Sequence, residues 1–240
     1  MDGQVECDAG LMDGSTHNFA GVGTLSGVKN PIEVARSMLD TCNNGLLPGG
    51  RIPPMILAGE GARRWAIDHS ISAIDPKELL TANSVSTFEQ HMRILSSHLQ
   101  SHHVDDDDRL PQNDGTIYWG HDTVGAVCID VHGNVVAAVS SGGISLKYSG
   151  RIGEAALFGA GCWAHNSRDD NLGFGASLSG TGEQIMRTLL AKCMADNLRK
   201  QSVEEAFKQT MKTDFIDSPL LSSFEQKSVG VLLLTTEFGM

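Results

Sequence analysis

Apolar and polar positions alternate along residues 4–12 and again along 16–25, the spacing of two short strands, with Asp13-Gly14 as the turn between them. The period then lengthens. Asn30-Pro31 predicts a helix start, with Asn at the N-cap and Pro at the first helical position. Val34, Ala35, Met38 and Leu39 form its apolar stripe, and Gly45 closes it. A second helix is expected over Glu60–His69, after the Arg51-Ile52-Pro53-Pro54 segment. A third follows from Val85, Phe88, Met92, Leu95 and Leu99, which share one helical face.

Beyond Leu99 the pattern stops. Ser101 to Asp108 and Pro111 to Gly115 offer nothing to bury and predict a mobile loop over about residues 100–122. Val124–Val131 and Asn134–Val139 then read as a hairpin around His132-Gly133. Short strands are expected at 154–164 and 174–179, one helix from Gly182 to Arg199, another from Val203 to Lys212, and an apolar strand at Val229–Thr235. Neighbouring hairpins with helices before and after them predict an α+β sandwich, two antiparallel sheets face to face under outer helices.

Composition narrows the function classes. The 240 residues, 40% of them hydrophobic, with 27 glycines and 7 prolines, suit a globular chain able to bury a large core. No apolar run is long enough to span a membrane, and Met1–Glu6 lacks the features of a signal peptide, so an intracellular location, cytoplasmic or nuclear, is expected. A net charge of −11 and a pI near 5.2 argue against nucleic acid as a direct partner. Cys7, Cys42, Cys128, Cys162 and Cys193 are scattered and suit reduced thiols rather than a zinc site. His91, His98, His102 and His103 with four aspartates read as a solvated segment, so neither a metal nor another cofactor is expected.

The candidate chemistry lies where the polar loop meets the hairpin, at Asp122-Thr123. A threonine at strand entry is ordinary. If the chain is cut before it, its nitrogen becomes an α-amine with a pKa of roughly 7.7–8.0. One residue then supplies nucleophile and base. Ser140-Ser141-Gly142-Gly143 ends the returning strand of the hairpin, which brings Ser141 towards Thr123. In Ser149-Gly150-Arg151-Ile152-Gly153-Glu154, Arg151 can clamp a carboxylate, or else pair with Glu154. Ser179-Gly180-Thr181-Gly182 runs into a helix whose amides can stabilise an oxyanion, or whose Ser179 or Thr181 merely caps it. Together these are the parts of an amide hydrolase.

These motifs, in order, resemble the N-terminal-nucleophile asparaginase family: His121-Asp122-Thr123-Val124-Gly125, Ser141-Gly142-Gly143, Gly150-Arg151-Ile152-Gly153, and Ser179-Gly180 with Gly182-Glu183. Glu6-Cys7-Asp8-Ala9 and Met12-Asp13-Gly14 resemble it too. Within the family the chain looks most like the threonine aspartases, or taspases, which differ from asparaginases at Asp122, Ser141, Ser179 and Glu154. The resemblance implies a four-layer αββα sandwich, incomplete at both ends. It implies self-cleavage between Asp122 and Thr123 into segments 1–122 and 123–240. Thr123 would be the nucleophile, with Ser141 orienting it. Ser179 and Gly180 would shape the oxyanion pocket, while Arg151, Glu154 and Gly182 would bind substrate. The activity implied is a threonine endopeptidase cutting after aspartate in protein substrates, nuclear transcription regulators among them, working as a homodimer or a dimer of processed heterodimers. The alternatives are an isoaspartyl peptidase or asparaginase on small substrates, and an inactive relative that pairs with a full-length copy.

Overall fold

The first predicted hairpin forms as Cys7–Asp13 (β1) and Phe19–Leu25 (β2), paired antiparallel. A computed structural model describes residues 3–101, 122–167 and 172–236 of the chain. The central hairpin forms as Val124–Ile129 (β4) and Val135–Ser141 (β5), and β5 lies antiparallel against β1. A three-residue strand absent from the sequence reading, Ile56–Ala58 (β3), runs parallel to β2 and completes a sheet of order β3-β2-β1-β5-β4. It is too short for alternation to reveal it. The second sheet holds Cys162–His165 (β6), Phe174–Gly180 (β7) and Val229–Thr235 (β8), all antiparallel.

The sheets pack face to face, and each carries helices on its outer side. On the first sheet lie Pro31–Asn43 (α1) and Gly59–Asp68 (α2), burying Val34, Met38, Ala62 and Ala66 against Ala9, Ala20 and Val22. Over the second lie Gly182–Thr188 (α4), Leu190–Leu198 (α5) and Val203–Lys208 (α6), which bury Ile185, Leu190, Met194 and Ala206 together with Phe174 and Leu178. The architecture is an α+β sandwich in four layers, αββα. Ala82–Ser101 (α3) supplies the helix expected around Val85–Leu99. No helix among the described residues is long and apolar enough to cross a membrane.

Register and two glycines position what matters for chemistry. Asp8 pairs with Ser141 and Val124 with Ser140, so Asp8, Thr123 and Ser141 collect at one end of the first sheet. Side chains at Gly10 and Gly21 would collide with the carbonyls of Ala155 and Ala156. Their absence lets the 154–156 segment lie flat on the strands.

Several expectations need correction. Residues 154–164 are not one strand: Glu154–Ala156 is a 3₁₀ turn, and the strand starts only at Cys162. Asn30 does not cap α1 through a backbone amide; its side chain bonds Glu33 instead, at 2.9 Å. The helix from Val203 runs on through a π-helical segment, Gln209–Ile216, rather than stopping at Lys212. The apolar strand at Val229–Thr235 is half-buried on one side only, with Leu232 and Leu234 exposed on the other. Of the loop expected over about residues 100–122, Gln100 and Ser101 belong to α3 instead; residues 102–121, with His102 and His103, lie outside the described residues, as does the side chain of His98.

The single helix expected over 182–199 is broken at Leu189, which adopts φ 45°, ψ 49°. The break re-aims α5 so that Leu190, Ala191, Met194, Ala195 and Leu198 are all buried. It also lets the Lys192 amide donate to Gly159 O at 2.9 Å. A left-handed leucine costs about 1–2 kcal/mol, and here the core contacts of α5 offset it. Because Leu189 is 50% exposed, Leu189→Gly should stabilise the chain by roughly 0.5–1 kcal/mol. Denaturant midpoints would check this; a lower midpoint would mean that the leucine side chain packs better than its exposure indicates.

Candidate active site

Thr123 stands at the entry to β4 and Ser141 at the exit of β5, so the antiparallel pairing sets their side chains together. Thr123 Oγ1 donates to Ser141 Oγ at 3.1 Å, and the Gly143 amide donates to the same oxygen at 3.1 Å. Ser141 is thereby held by the turn that follows it. On the neighbouring strand Asp8 is buried, and its carboxylate accepts the amides of Thr24 and Gly153, each at 2.7 Å. Asp8 thus joins β1 to the glycine-rich segment that carries Arg151 and Glu154.

Glu6 organises the same segment from outside. Its carboxylate accepts from Ser149 Oγ at 2.8 Å and from the Gly150 amide at 3.0 Å, and it pairs with Lys147 Nζ at 3.2 Å. Lys147 and Glu6 are only 10% and 12% exposed, and Lys147 also donates to the Arg151 carbonyl at 3.1 Å. Burial alone would raise Glu6, but the Gly150, Ser149 and Lys147 contacts hold it below the usual range.

Glu154 is buried beside Gly182, where a side chain would strike its carboxylate. Burial pushes the Glu154 carboxyl up; its own amide opposes this, the nearby Asp8 and Asp122 charges reinforce it, and a hydrogen bond with Thr123 again opposes it. Burial likewise raises Asp8, against the pull of the Thr24 and Gly153 amides. Two carboxyls raised by burial therefore sit beside a hydroxyl pair, an environment suited to proton transfer.

These groups share one small cavity of about 40 Å³. Of the residues expected from sequence, Asp122, Thr123, Ser141, Arg151, Glu154, Gly180 and Gly182 all line it. Ser179 does not, and neither Ser179 nor Thr181 caps the short helix α4 with its side chain. Arg151 pairs with Glu183 rather than Glu154, its Nη2 lying 2.9 Å from Glu183 Oε1.

Asp8, Lys147 and Glu183, which carry no role in the sequence motifs, line the cavity as well. A signal existed for Asp8, a carboxylate inside a strand that is otherwise apolar or small. Among the described residues no group of three or more metal-ligating side chains forms, and His91 bonds Ser145 Oγ at 2.7 Å.

Chemically, the cavity pairs a hydroxyl nucleophile with a second hydroxyl, a buried carboxyl able to accept a proton, and a guanidinium for an anion. The Thr123 nitrogen is tied in the Asp122–Thr123 peptide, so it becomes a base only when that bond is cut.

The chain matches the family described as Asparaginase across residues 1–218. It is 30% identical over 239 residues to an isoaspartyl peptidase/L-asparaginase of Rattus norvegicus, covering 99% of this chain and 60% of that protein. It is 34% identical over 190 residues to an isoaspartyl peptidase of Salmonella typhimurium, covering 79% of this chain and 53% of that protein. An isoaspartyl peptidase of Escherichia coli is 31% identical over 186 residues, 78% of this chain and 50% of that protein. The chain therefore spans between half and three-fifths of these curated relatives. Their names agree with the small-substrate expectation more closely than with the endopeptidase one.

The raised Glu154 carboxyl makes a stability prediction. A group whose pKa is higher in the folded chain stabilises it below the ordinary carboxyl range, and that contribution is lost as pH rises through the folded value. At neutral pH the ionised, buried Glu154 should therefore be a burden. Glu154→Gln should melt higher than wild type at pH 7, with the gain shrinking as pH falls towards the glutamate range. Melting curves across pH test this, and a gain that is absent or grows in acid would contradict it.

Proposed function

The chain belongs to the asparaginase family, and from that premise we propose that it is a self-activating threonine hydrolase of aspartyl amide bonds. The observation that carries the reading is the Thr123 hydroxyl, bonded to Ser141 at 3.1 Å inside a cavity that also holds Arg151 and Glu154. Isoaspartyl peptides and L-asparagine are the substrate class, as the names of the similar proteins suggest.

In the uncut chain Glu154, buried in the same cavity as Thr123, takes the Oγ1 proton once Oγ1 turns away from Ser141. Oγ1 attacks the Asp122 carbonyl carbon, the C–N bond breaks, and the proton passes to the Thr123 nitrogen. Water then hydrolyses the resulting ester. This leaves segments 1–122 and 123–240 as one folded unit, which assembles as a homodimer of processed chains.

In the processed chain the free amine of Thr123 replaces Glu154 as base. Thr123 Oγ1 attacks the substrate amide, the amine product leaves with a proton, and water releases the aspartyl group. Ser141 orients Oγ1. Arg151 holds the substrate α-carboxylate and Glu154 its α-ammonium, while backbone amides near Gly180 and Gly182 face the oxyanion. Ser179 lies outside the cavity lining and takes no substrate role in this reading.

One observation favours a second reading, an endopeptidase cutting after aspartate. The Asp122 carboxylate lies against Gly142, where any side chain would collide with it, so the uncut chain already seats an aspartate before its own scissile bond. Protein substrates such as transcription regulators would belong to this reading. Turnover of a β-aspartyl dipeptide against an α-linked peptide with internal aspartate separates the two: the first reading expects activity on the β-linked substrate, the second on the α-linked one.

Intact mass of the wild-type chain should reveal fragments 1–122 and 123–240, and Thr123→Ala should stay whole. A wild type that stays whole through long incubation would refute self-activation. Glu154→Gln should slow self-cleavage by on the order of 10²-fold. The wild-type rate should rise with pH through the raised Glu154 value, because the base must be ionised, and the variant should lose that dependence.

A further inference from the structure

Arg151 presents its guanidinium to Glu183 in a particular way. Nε at 3.2 Å and Nη2 at 2.9 Å both donate to one oxygen, Glu183 Oε1. That occupies the side edge of the fork. The end edge, formed by Nη1 and the outer N–H of Nη2, meets no acceptor among the described residues, although Arg151 lines the cavity beside Thr123. A carboxylate binds such an edge through two parallel N–H bonds.

The backbone of Arg151 is fixed as well, its amide donating to Tyr148 O at 3.0 Å and its carbonyl accepting from Lys147 Nζ at 3.1 Å. Glu183 stands on an equally firm base. Its neighbour Gln184 is buried, donating to Gln226 O at 2.7 Å and accepting the Ser228 amide at 3.1 Å, which pins the first turn of α4 to the start of β8.

We propose that Glu183 is a positioning residue: it holds the side edge of Arg151 so that the end edge meets the α-carboxylate of the substrate. This rests on the hydrolase reading above and adds a specificity determinant to it. The opposite role would be a built-in competitor, a carboxylate that substrate must displace. The single-oxygen, side-edge contact argues against competition, since the two carboxylates would take different edges. Repulsion between them is weakened by solvent, because Arg151 and Glu183 are 32% and 44% exposed.

The test uses the processed enzyme and two β-aspartyl dipeptides, one with a free aspartyl α-carboxylate and one with that group capped as a carboxamide. Glu183→Ala should raise KM for the free substrate by on the order of tenfold, with a much smaller change in kcat. Glu183→Gln keeps an acceptor oxygen at the same reach and should fall between Ala and wild type. The capped substrate should be indifferent to both. In an Arg151→Ala background, Glu183→Ala should have no further effect. The role is overturned if KM is unchanged or falls in both variants, or if Glu183→Ala still raises KM without Arg151. A wild-type chain that turns over neither dipeptide overturns the hydrolase reading and takes this role with it. Normal wild-type turnover with an unmoved KM overturns this role alone.

Discussion

The carboxylate of Asp8 ties the site together. It reaches from β1 to the Thr24 and Gly153 amides, 16 and 145 residues along the chain. Remove those bonds and the segment bearing Arg151 and Glu154 loses its anchor to the sheet on which Thr123 and Ser141 stand. An ionised carboxylate accepting two amides in a buried place is a strong constraint, because leaving either amide unpaired there costs about 1–3 kcal/mol. Strand register does the rest: with Asp8 opposite Ser141 and Val124 opposite Ser140, the hydroxyls of Thr123 and Ser141 meet wherever the sheet forms.

Around that anchor, crowded carboxylates cost stability. Asp8, Asp122, Glu154 and Glu183 crowd a cavity that Lys147 and Arg151 only partly neutralise. Burial raises Asp8 and Glu154, so ionising either carboxyl costs more in the folded chain than in water. A protein selected for stability alone would not place them there. Glu6 behaves differently: its amide, hydroxyl and ammonium partners keep it ionised, which suits a structural tie. The same residue type therefore serves two purposes, separated by how many donors surround each carboxylate.

Much of the fold was legible from pattern. The hairpins around Asp13-Gly14 and His132-Gly133, the stripe of α1 and the strand at Val229–Thr235 form where alternation and helical spacing predict them. The misses share a cause. Leu189 breaks a helix without Gly or Pro, because burying α5 outweighs the local strain. Glu154–Ala156 turns instead of extending, because Gly10 and Gly21, far away in sequence, leave it room. In the cavity, Thr123, Ser141 and Arg151 are candidates by residue type beside glycines, and Glu154 by family resemblance. Asp8, Lys147 and Glu183 did not, since their importance lies in partners brought close only by folding.

The amino-acid sequence by itself determined the family, the nucleophile candidate and the order of the layers, because hydrophobic period and glycine-flanked polar motifs are local properties. Tertiary structure alone decided which carboxylate meets Arg151, which edge of its guanidinium stays open, and that Ser179 stands back from the cavity. Those outcomes depend on sheet register, on the re-aimed helix after Leu189, and on collisions avoided at Gly142 and Gly182. Each is a relation between distant residues, and no local pattern encodes it.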